Sequence, residues 1–372
     1  MMDSRKIEDY LSLKSHYDNS SLQLGGADKI RVLNLKTVSG GVTNNLYSFL
    51  LKFSKQGIEH QHELILKIYP ETTSLWFKTY RPNEDVRKYV REFEAMSSLE
   101  CHNFPVPPVY LCECDPFFLG YPFVIMQQEK IIQESDNNLG RFAATLARLH
   151  NLKVDELGIK SLGFPKDDSA FAREWPFRFK HVIGETRHYR SLKKDFEYVI
   201  RWLEADSENN RCPKYCLVHG EYHPGHTIMT SNNILKVIDW EGVAIGDPAF
   251  DVGYTYHMVK LMSNTKKPGS GQEVAERFLT EYAKSFDGDI KPRIEYYKVV
   301  GILGVTIAVR LLISNPVEAY KRFGRKALAR SLAFPFVRFH LVNRKWMNSD
   351  FLVSYLQYFQ EFVETTKKLD RS

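Results

Sequence analysis

The sequence is short of several things, and each shortage removes a class of protein. No apolar run is long enough to cross a bilayer. The longest, Val299 to Val309, falls well below the roughly 20 residues a membrane helix needs and reads as a buried helix. The opening Met1-Met2-Asp3-Ser4-Arg5-Lys6 lacks the apolar stretch of a secretory leader, so a cytoplasmic location is the expectation. No repeat and no low-complexity tract occurs, which sets aside solenoid and disordered architectures. Cysteine is scarce, at five residues. Cys112 and Cys114 lie two apart and Cys212 and Cys216 four apart. Neither pair has C-x₂-C spacing, so free thiols are favoured over a four-cysteine zinc site or disulfides. A one-sided charge is also missing: 51 basic and 45 acidic residues leave a net +6, too mild to call for a nucleic-acid partner. Basic residues thicken only late, from Lys321 and Arg322 through Arg344 and Lys345, with Phe334, Phe336 and Trp346 among them. A solvated helix face over a core accounts for that run better than a polyanion or membrane surface.

What is present suits an enzyme of two unequal lobes. The chain has 372 residues, too many for one compact core, and 43% of them are hydrophobic, which is ordinary for a globular protein. Residues 1–28 read as a polar, partly helical lead-in. Strands are expected at Ile30–Val38, Leu46–Phe53 and Glu63–Tyr69, then a helix at Val86–Leu99, whose apolar positions follow helical spacing. Two more strands follow at Val109–Cys114 and Pro122–Gln127. Beyond residue 128 the pattern turns helical: Leu139–His150, then 272–287, 294–313 and 350–366. Short strands at Tyr215–Val218 and Ile234–Ile238 interrupt it. The expected class is therefore α+β, β-rich first and helix-rich afterwards.

The strongest chemical signal is His219-Gly220-Glu221-Tyr222-His223-Pro224-Gly225-His226 after an apolar strand. Ile238-Asp239-Trp240-Glu241-Gly242 and Gly246-Asp247-Pro248 follow. Two apolar strands thus deliver acidic tips within about twenty residues, an arrangement that suits a divalent metal. Here the chain resembles the aminoglycoside phosphotransferase and choline kinase-like family, which shows His-Gly-Asp, an Asn five residues after that Asp, Ile-Asp-Trp/Phe-Glu and Gly-Asp-Pro in this order. The resemblance extends over most of the chain. It implies a protein kinase-like fold, with residues 1–127 as a nucleotide-binding lobe and 128–372 as a helical lobe holding the catalytic and metal loops and the substrate site. It implies a small-molecule phosphotransferase that uses ATP or GTP with Mg²⁺ or Mn²⁺ on a hydroxyl acceptor.

The same resemblance assigns roles. Gly40, Gly41, Thr43 and Asn44 match the loop over the phosphates, although Gly-Gly followed by Thr-Asn-Asn also reads as a plain hairpin turn. Lys67 matches the strand lysine on the nucleotide phosphates, and its apolar neighbours call for a charged partner, for which Glu92 is the choice. Glu94, two residues on, faces elsewhere. Gln127 and Gln128 follow the strand into the hinge, where their backbones would line the adenine site. Asp239 and His226 are the implied metal ligands, Glu221 the base, and Glu241 a further group for metal or substrate. His150, His219, Asp247 and Asp251 are expected to be structural. The aromatic and basic stretch from Phe171 to Lys194, with Trp175 and Arg187, is expected on the substrate side and favours a neutral or anionic acceptor over a polycation.

Two positions depart from the family pattern. Glu221 stands where the family has Asp, and a misplacement of about 1 Å can cost roughly 10²-fold. His226 stands where the family has Asn, and imidazole suits softer metals than Mg²⁺. A catalytically impaired, nucleotide- or ligand-binding pseudokinase is therefore the alternative to an active enzyme.

Overall fold

The computed structural model describes residues 3–16, 22–38, 44–70, 88–132, 139–185, 193–266 and 269–314. The late basic run and the helix expected at 350–366 lie outside these residues. The first structural unit is a five-stranded antiparallel sheet of β1 (Asp28–Thr37), β2 (Asn45–Lys55), β3 (Ile58–Ile68), β4 (Val109–Glu113) and β5 (Phe123–Gln127), in the order β1-β2-β3-β5-β4. A two-residue turn, Gln56-Gly57, joins β2 to β3. Both residues have positive φ (53° and 78°), which matches the right-handed twist of the flanking strands and sets Lys55 opposite Ile58.

Period-two alternation gives this sheet two different faces. Leu64, Leu66 and Ile68 of β3 pack with Phe49, Leu51, Phe53, Phe123 and Ile125 against the helix α1 (Ser4–Lys14) through its buried Ile7, Tyr10 and Leu11. Lys67, between Leu66 and Ile68 in the strand, is buried toward the opposite side. There α2 (Lys88–Cys101) buries Glu92, Ala95, Met96 and Leu99. Its apolar residues share one core with α3 (Leu139–Asn151), Trp240, Phe278 and Tyr282, so the helix ties the sheet to the helical part. Ser98 Oγ donates to Leu157 O (2.6 Å), and Glu94 accepts from the Ser161 N–H (2.9 Å).

The helical part comprises α4 (Ala170–Glu185), α5 (Lys193–Asp206), α6 (Pro248–Lys266), α7 (Gly271–Ala283) and α8 (Lys291–Ser314). Set among them are two short antiparallel pairs, β6 (Cys216–Val218) with β9 (Ala244–Gly246) and β7 (Thr227–Met229) with β8 (Leu235–Val237). The sequence pattern does not reveal α6, because it is buried nearly all round. Phe250 packs into one core and Val252 and Val259 into another, and Asp251, Thr255 and His257 are buried too, so no polar stripe marks a helical period. Three aromatics of the stretch expected on the substrate side belong to the core instead. Phe171, Trp175 and Phe179 are core residues packed with Phe196 and Phe250, and Arg178 stacks on Trp175. Arg187 lies outside the described residues. All five cysteines are free thiols. Among the described residues no helix is long and apolar enough to cross a membrane.

Candidate active site

Lys67 leaves β3 on the side facing α2 and meets two carboxylates. Its ammonium lies 2.8 Å from both oxygens of Glu92 and 2.8 Å from Asp239 Oδ1. Glu92 is almost wholly buried and is held further by the Tyr69 hydroxyl (2.5 Å) and the Trp240 N–H (3.2 Å). Burial alone would lower the Lys67 ammonium, but Asp239, Glu92 and Glu241 outweigh it and hold the group above the ordinary lysine range. Burial pushes the Glu92 carboxyl up while Lys67 works against it. A charge inside an apolar strand thus has the paired partners that burial demands.

The second component is the loop after β6. Asp251, at the start of α6, accepts from the backbone N–H groups of His219 (2.6 Å) and Gly220 (2.8 Å) and lies 3.2 Å from His150, whose other ring nitrogen meets the Tyr282 hydroxyl at 2.8 Å. Gly220 has φ +91°, and a Cβ there would sit 2.3 Å from the Gly242 carbonyl oxygen. Only glycine allows this loop to lie against the turn that follows Asp239. The His219 ring accepts from the Glu221 N–H (3.2 Å) on Nδ1, so Nε2 carries the proton donated to Ile238 O at 3.0 Å. Burial holds His219 neutral, its pKa lowered to about 4. Asp247 pairs with Arg293 (2.6 Å) and accepts from the Ala249 N–H. These four expected structural residues, His150, His219, Asp247 and Asp251, are bound as braces.

His226 and Asp239 come together at the mouth of this loop. His226 Nδ1 lies 2.9 Å from the Glu221 carbonyl oxygen, which can only accept, so that nitrogen bears hydrogen. Nε2 is turned to Asp239 Oδ2 at 3.3 Å. Asp239 itself has left-handed backbone geometry, φ 69° and ψ 60°, a strained conformation for a non-glycine residue. Burial tends to raise its carboxyl, yet the Lys67 ammonium, followed by His226, overrides burial and holds it well below the usual carboxylate range. Glu241, also buried, accepts from Asn44 Nδ2 at 2.8 Å and lies 3.4 Å from the Lys88 ammonium. One oxygen from each of Glu92, Asp239 and Glu241 falls within 4.8 Å of the others.

The fold therefore brings together Asn44, Lys67, Glu92, His226, Asp239 and Glu241, from five separate stretches of chain. Glu221 is half-buried and joins through its backbone carbonyl to His226. Gly40, Gly41 and Thr43 lie outside the described residues. Gln127 and Gln128 end β5 with their amide donors engaged within the sheet: Gln127 N–H donates to Pro108 O (2.8 Å) and Gln128 N–H to Glu63 O (2.9 Å). The Gln128 carbonyl also accepts from Gln127 Nε2 (3.1 Å), so neither backbone N–H remains for a base. Sequence reasoning missed Lys88 and Tyr69. Lys88 stands four residues before Glu92 on α2, a spacing that puts both on one face, and that spacing could have found it.

One fixed ammonium beside clustered carboxylate oxygens and one imidazole nitrogen suits an anionic ligand held together with a divalent cation. A family model described as "Phosphotransferase enzyme family" matches residues 35–288. A macrolide 2'-phosphotransferase from Brachybacterium faecium has a TM-score of 0.52 at 16% identity, covering 89% of this chain and 100% of that one. A choline kinase from Streptococcus pneumoniae has a TM-score of 0.51 at 15% identity, covering 81% and 94%. Both likenesses are of fold, and the fold is the protein kinase-like α+β one expected from the sequence. The Arabidopsis thaliana protein named "Probable acyl-CoA dehydrogenase" is 25% identical over an alignment of 225 residues that covers 52% of this chain and 27% of that protein. The match thus spans about a quarter of that relative's length.

Proposed function

Given that this chain belongs to the phosphotransferase enzyme family, we propose that it moves the terminal phosphoryl group of ATP or GTP onto a hydroxyl of a small molecule. The observation that carries this reading is Lys67 fixed between Glu92 and Asp239, 2.8 Å from each. An ammonium so placed is positioned for phosphate oxygens at no reorganisation cost, and phosphoryl transfer depends mainly on positioning and charge neutralisation. Glu92 holds Lys67. Asn44, beside Glu241, covers the phosphates. Glu221 takes the proton of the attacking hydroxyl as the new oxygen–phosphorus bond forms and the bond to the bridging oxygen of the nucleotide breaks, giving a phosphate ester and a nucleoside diphosphate.

The donor set also fits a divalent cation. Asp239 Oδ2 and His226 Nε2 face each other, and the hydrogen bond from Nδ1 to Glu221 O leaves Nε2 as the ligating nitrogen. Asp239 and His226 would hold the ion, with Glu241 beside them for metal or substrate. The bound ion would offset the charge of the phosphates. One imidazole among oxygens favours Mn²⁺ over Mg²⁺ more than an all-oxygen set does.

The test has two stages. ATP and GTP with Mg²⁺ or Mn²⁺ are expected to raise the melting temperature, since a ligand bound only by the folded chain stabilises it. A panel of sugars, amino alcohols, nucleosides and cofactors is then screened for nucleotide diphosphate release. Asp239→Ala is expected to abolish turnover, and His226→Asn to shift the metal preference toward Mg²⁺. No thermal shift in any metal would refute the nucleotide site. Binding without turnover, with turnover restored by His226→Asn and Glu221→Asp together, would make the chain a pseudokinase.

A further inference from the structure

We propose that Lys88 is a second phosphate-binding cation of this site, held on Glu241 until a nucleotide arrives. The inference rests on the phosphotransferase reading above and goes on to a residue that neither the sequence pattern nor that reading assigns.

Lys88 lies on α2. Its side chain is drawn inward and is only 12% exposed. Its ammonium lies 3.4 Å from Glu241 Oε2 and 3.4 Å from Asn44 Oδ1, while Asn44 Nδ2 reaches the same Glu241 oxygen at 2.8 Å. Tyr69 stands between the two lysines, its ring centroid 5.3 Å from Lys67 Nζ and 5.6 Å from Lys88 Nζ. The two ammonium groups thus flank one aromatic ring, each over a cation–π contact.

Their holds differ. Lys67 makes three contacts of 2.8 Å to Glu92 and Asp239 and is locked. The contacts of Lys88 to Glu241 and Asn44 are longer, and a lysine stem with rotatable bonds can exchange those partners for phosphate oxygens. The charges explain why it would. Glu92, Asp239 and Glu241 carry three negative charges in one pocket. Lys67 and Lys88 supply two positive ones. A divalent cation on Asp239 and Glu241 would take over the neutralisation of Glu241. The Lys88 ammonium would then face incoming phosphate oxygens, which make shorter and stronger charge-assisted bonds. Asn44, the residue bridging Lys88 and Glu241, belongs to the segment that the resemblance assigns to phosphate cover.

The experiment compares ATP, ADP and adenosine binding in saturating Mg²⁺ by calorimetry, for wild type, Lys88→Met and Lys88→Gln. Losing one charge-assisted phosphate contact weakens ATP about tenfold or more. Adenosine, which has no phosphate, is expected to bind both variants as it binds wild type. The two variants differ in polarity, so a folding failure of one leaves the other to decide. ATP affinity unchanged in a folded variant, or ATP and adenosine weakened equally, would overturn the assignment of Lys88 while leaving the nucleotide site standing. Wild type that binds no nucleotide at all would overturn both readings.

Discussion

Replacing Lys67 by Met tests the physics of the site without needing a substrate. Glu92 is 1% exposed, and the variant leaves it with the Tyr69 hydroxyl and the Trp240 N–H but no cation. Removing one partner of a buried ion pair typically costs about 3–5 kcal/mol. A cheaper route caps that cost, because the stranded carboxyl can take up a proton. With an ordinary value of 4.5 for a glutamate, protonation costs about 3.4 kcal/mol at pH 7 and about 0.8 kcal/mol at pH 5. Asp239 also loses a partner, but its side chain is about a third exposed (32%), so water screens much of that loss. The sign follows from linkage. A carboxyl whose folded value lies above its unfolded one takes up a proton on folding, so its destabilising effect grows as pH rises through the unfolded value. The variant is expected to lose about 3 kcal/mol against wild type at pH 7 and about 1 kcal/mol at pH 5. Urea unfolding followed by tryptophan fluorescence measures both, with wild type run at each pH. Lys67→Met with Glu92→Gln puts a neutral amide there, whose oxygen can accept from the Trp240 N–H while its NH₂ donates to the Tyr69 hydroxyl oxygen, and is expected to recover most of the loss at pH 7. A deficit equal at the two pH values, or under about 0.5 kcal/mol at pH 7, would refute the buried-pair account.

Wild-type stability is expected to fall between pH 6.5 and 5, because burial keeps His219 neutral, its pKa lowered to about 4, and burial keeps His257 neutral, its pKa lowered to about 3. Each unfolds into a histidine that protonates near 6.5, so acid favours the unfolded chain by about 2 kcal/mol per residue at pH 5. Thermal melts across that window check it, and His257→Gln should flatten the slope; a flat wild-type profile contradicts the assignment. Gly220→Ala is expected to lose turnover and more than about 2 kcal/mol of stability, from positive φ together with the 2.3 Å approach to the Gly242 carbonyl. Gly163→Ala, where an added Cβ meets nothing within 4 Å, is the control. Equal melting temperatures for the two variants would show that the loop does not need its close approach.

The sequence by itself marked the five strands of the sheet along the chain, and its resemblance to a known family singled out the polar residues proposed for the site. The apolar neighbours of Lys67 singled it out as a charge inside an apolar run, and the spacing of His219, Glu221, His226 and Asp239 recorded a loop and a strand end. Those are local signals, written over ten or so neighbouring residues. The tertiary structure alone decided which of these residues meet. Lys67 and Asp239 stand 172 positions apart, and Asn44 and Glu241 197 apart, and no periodicity spans such distances. It also decided what each polar group still has to offer. The amides of Gln127 and Gln128 are already bonded within the sheet, Trp175 is core, and Lys88 is drawn onto Glu241. Burial and hydrogen-bond satisfaction belong to the packed chain, because a donor is spent or available only once its neighbours in space are fixed. α6 shows the same limit from the other side. A helix buried all round carries no amphipathic stripe, and only the elements packed on every side of it give its polar residues their partners.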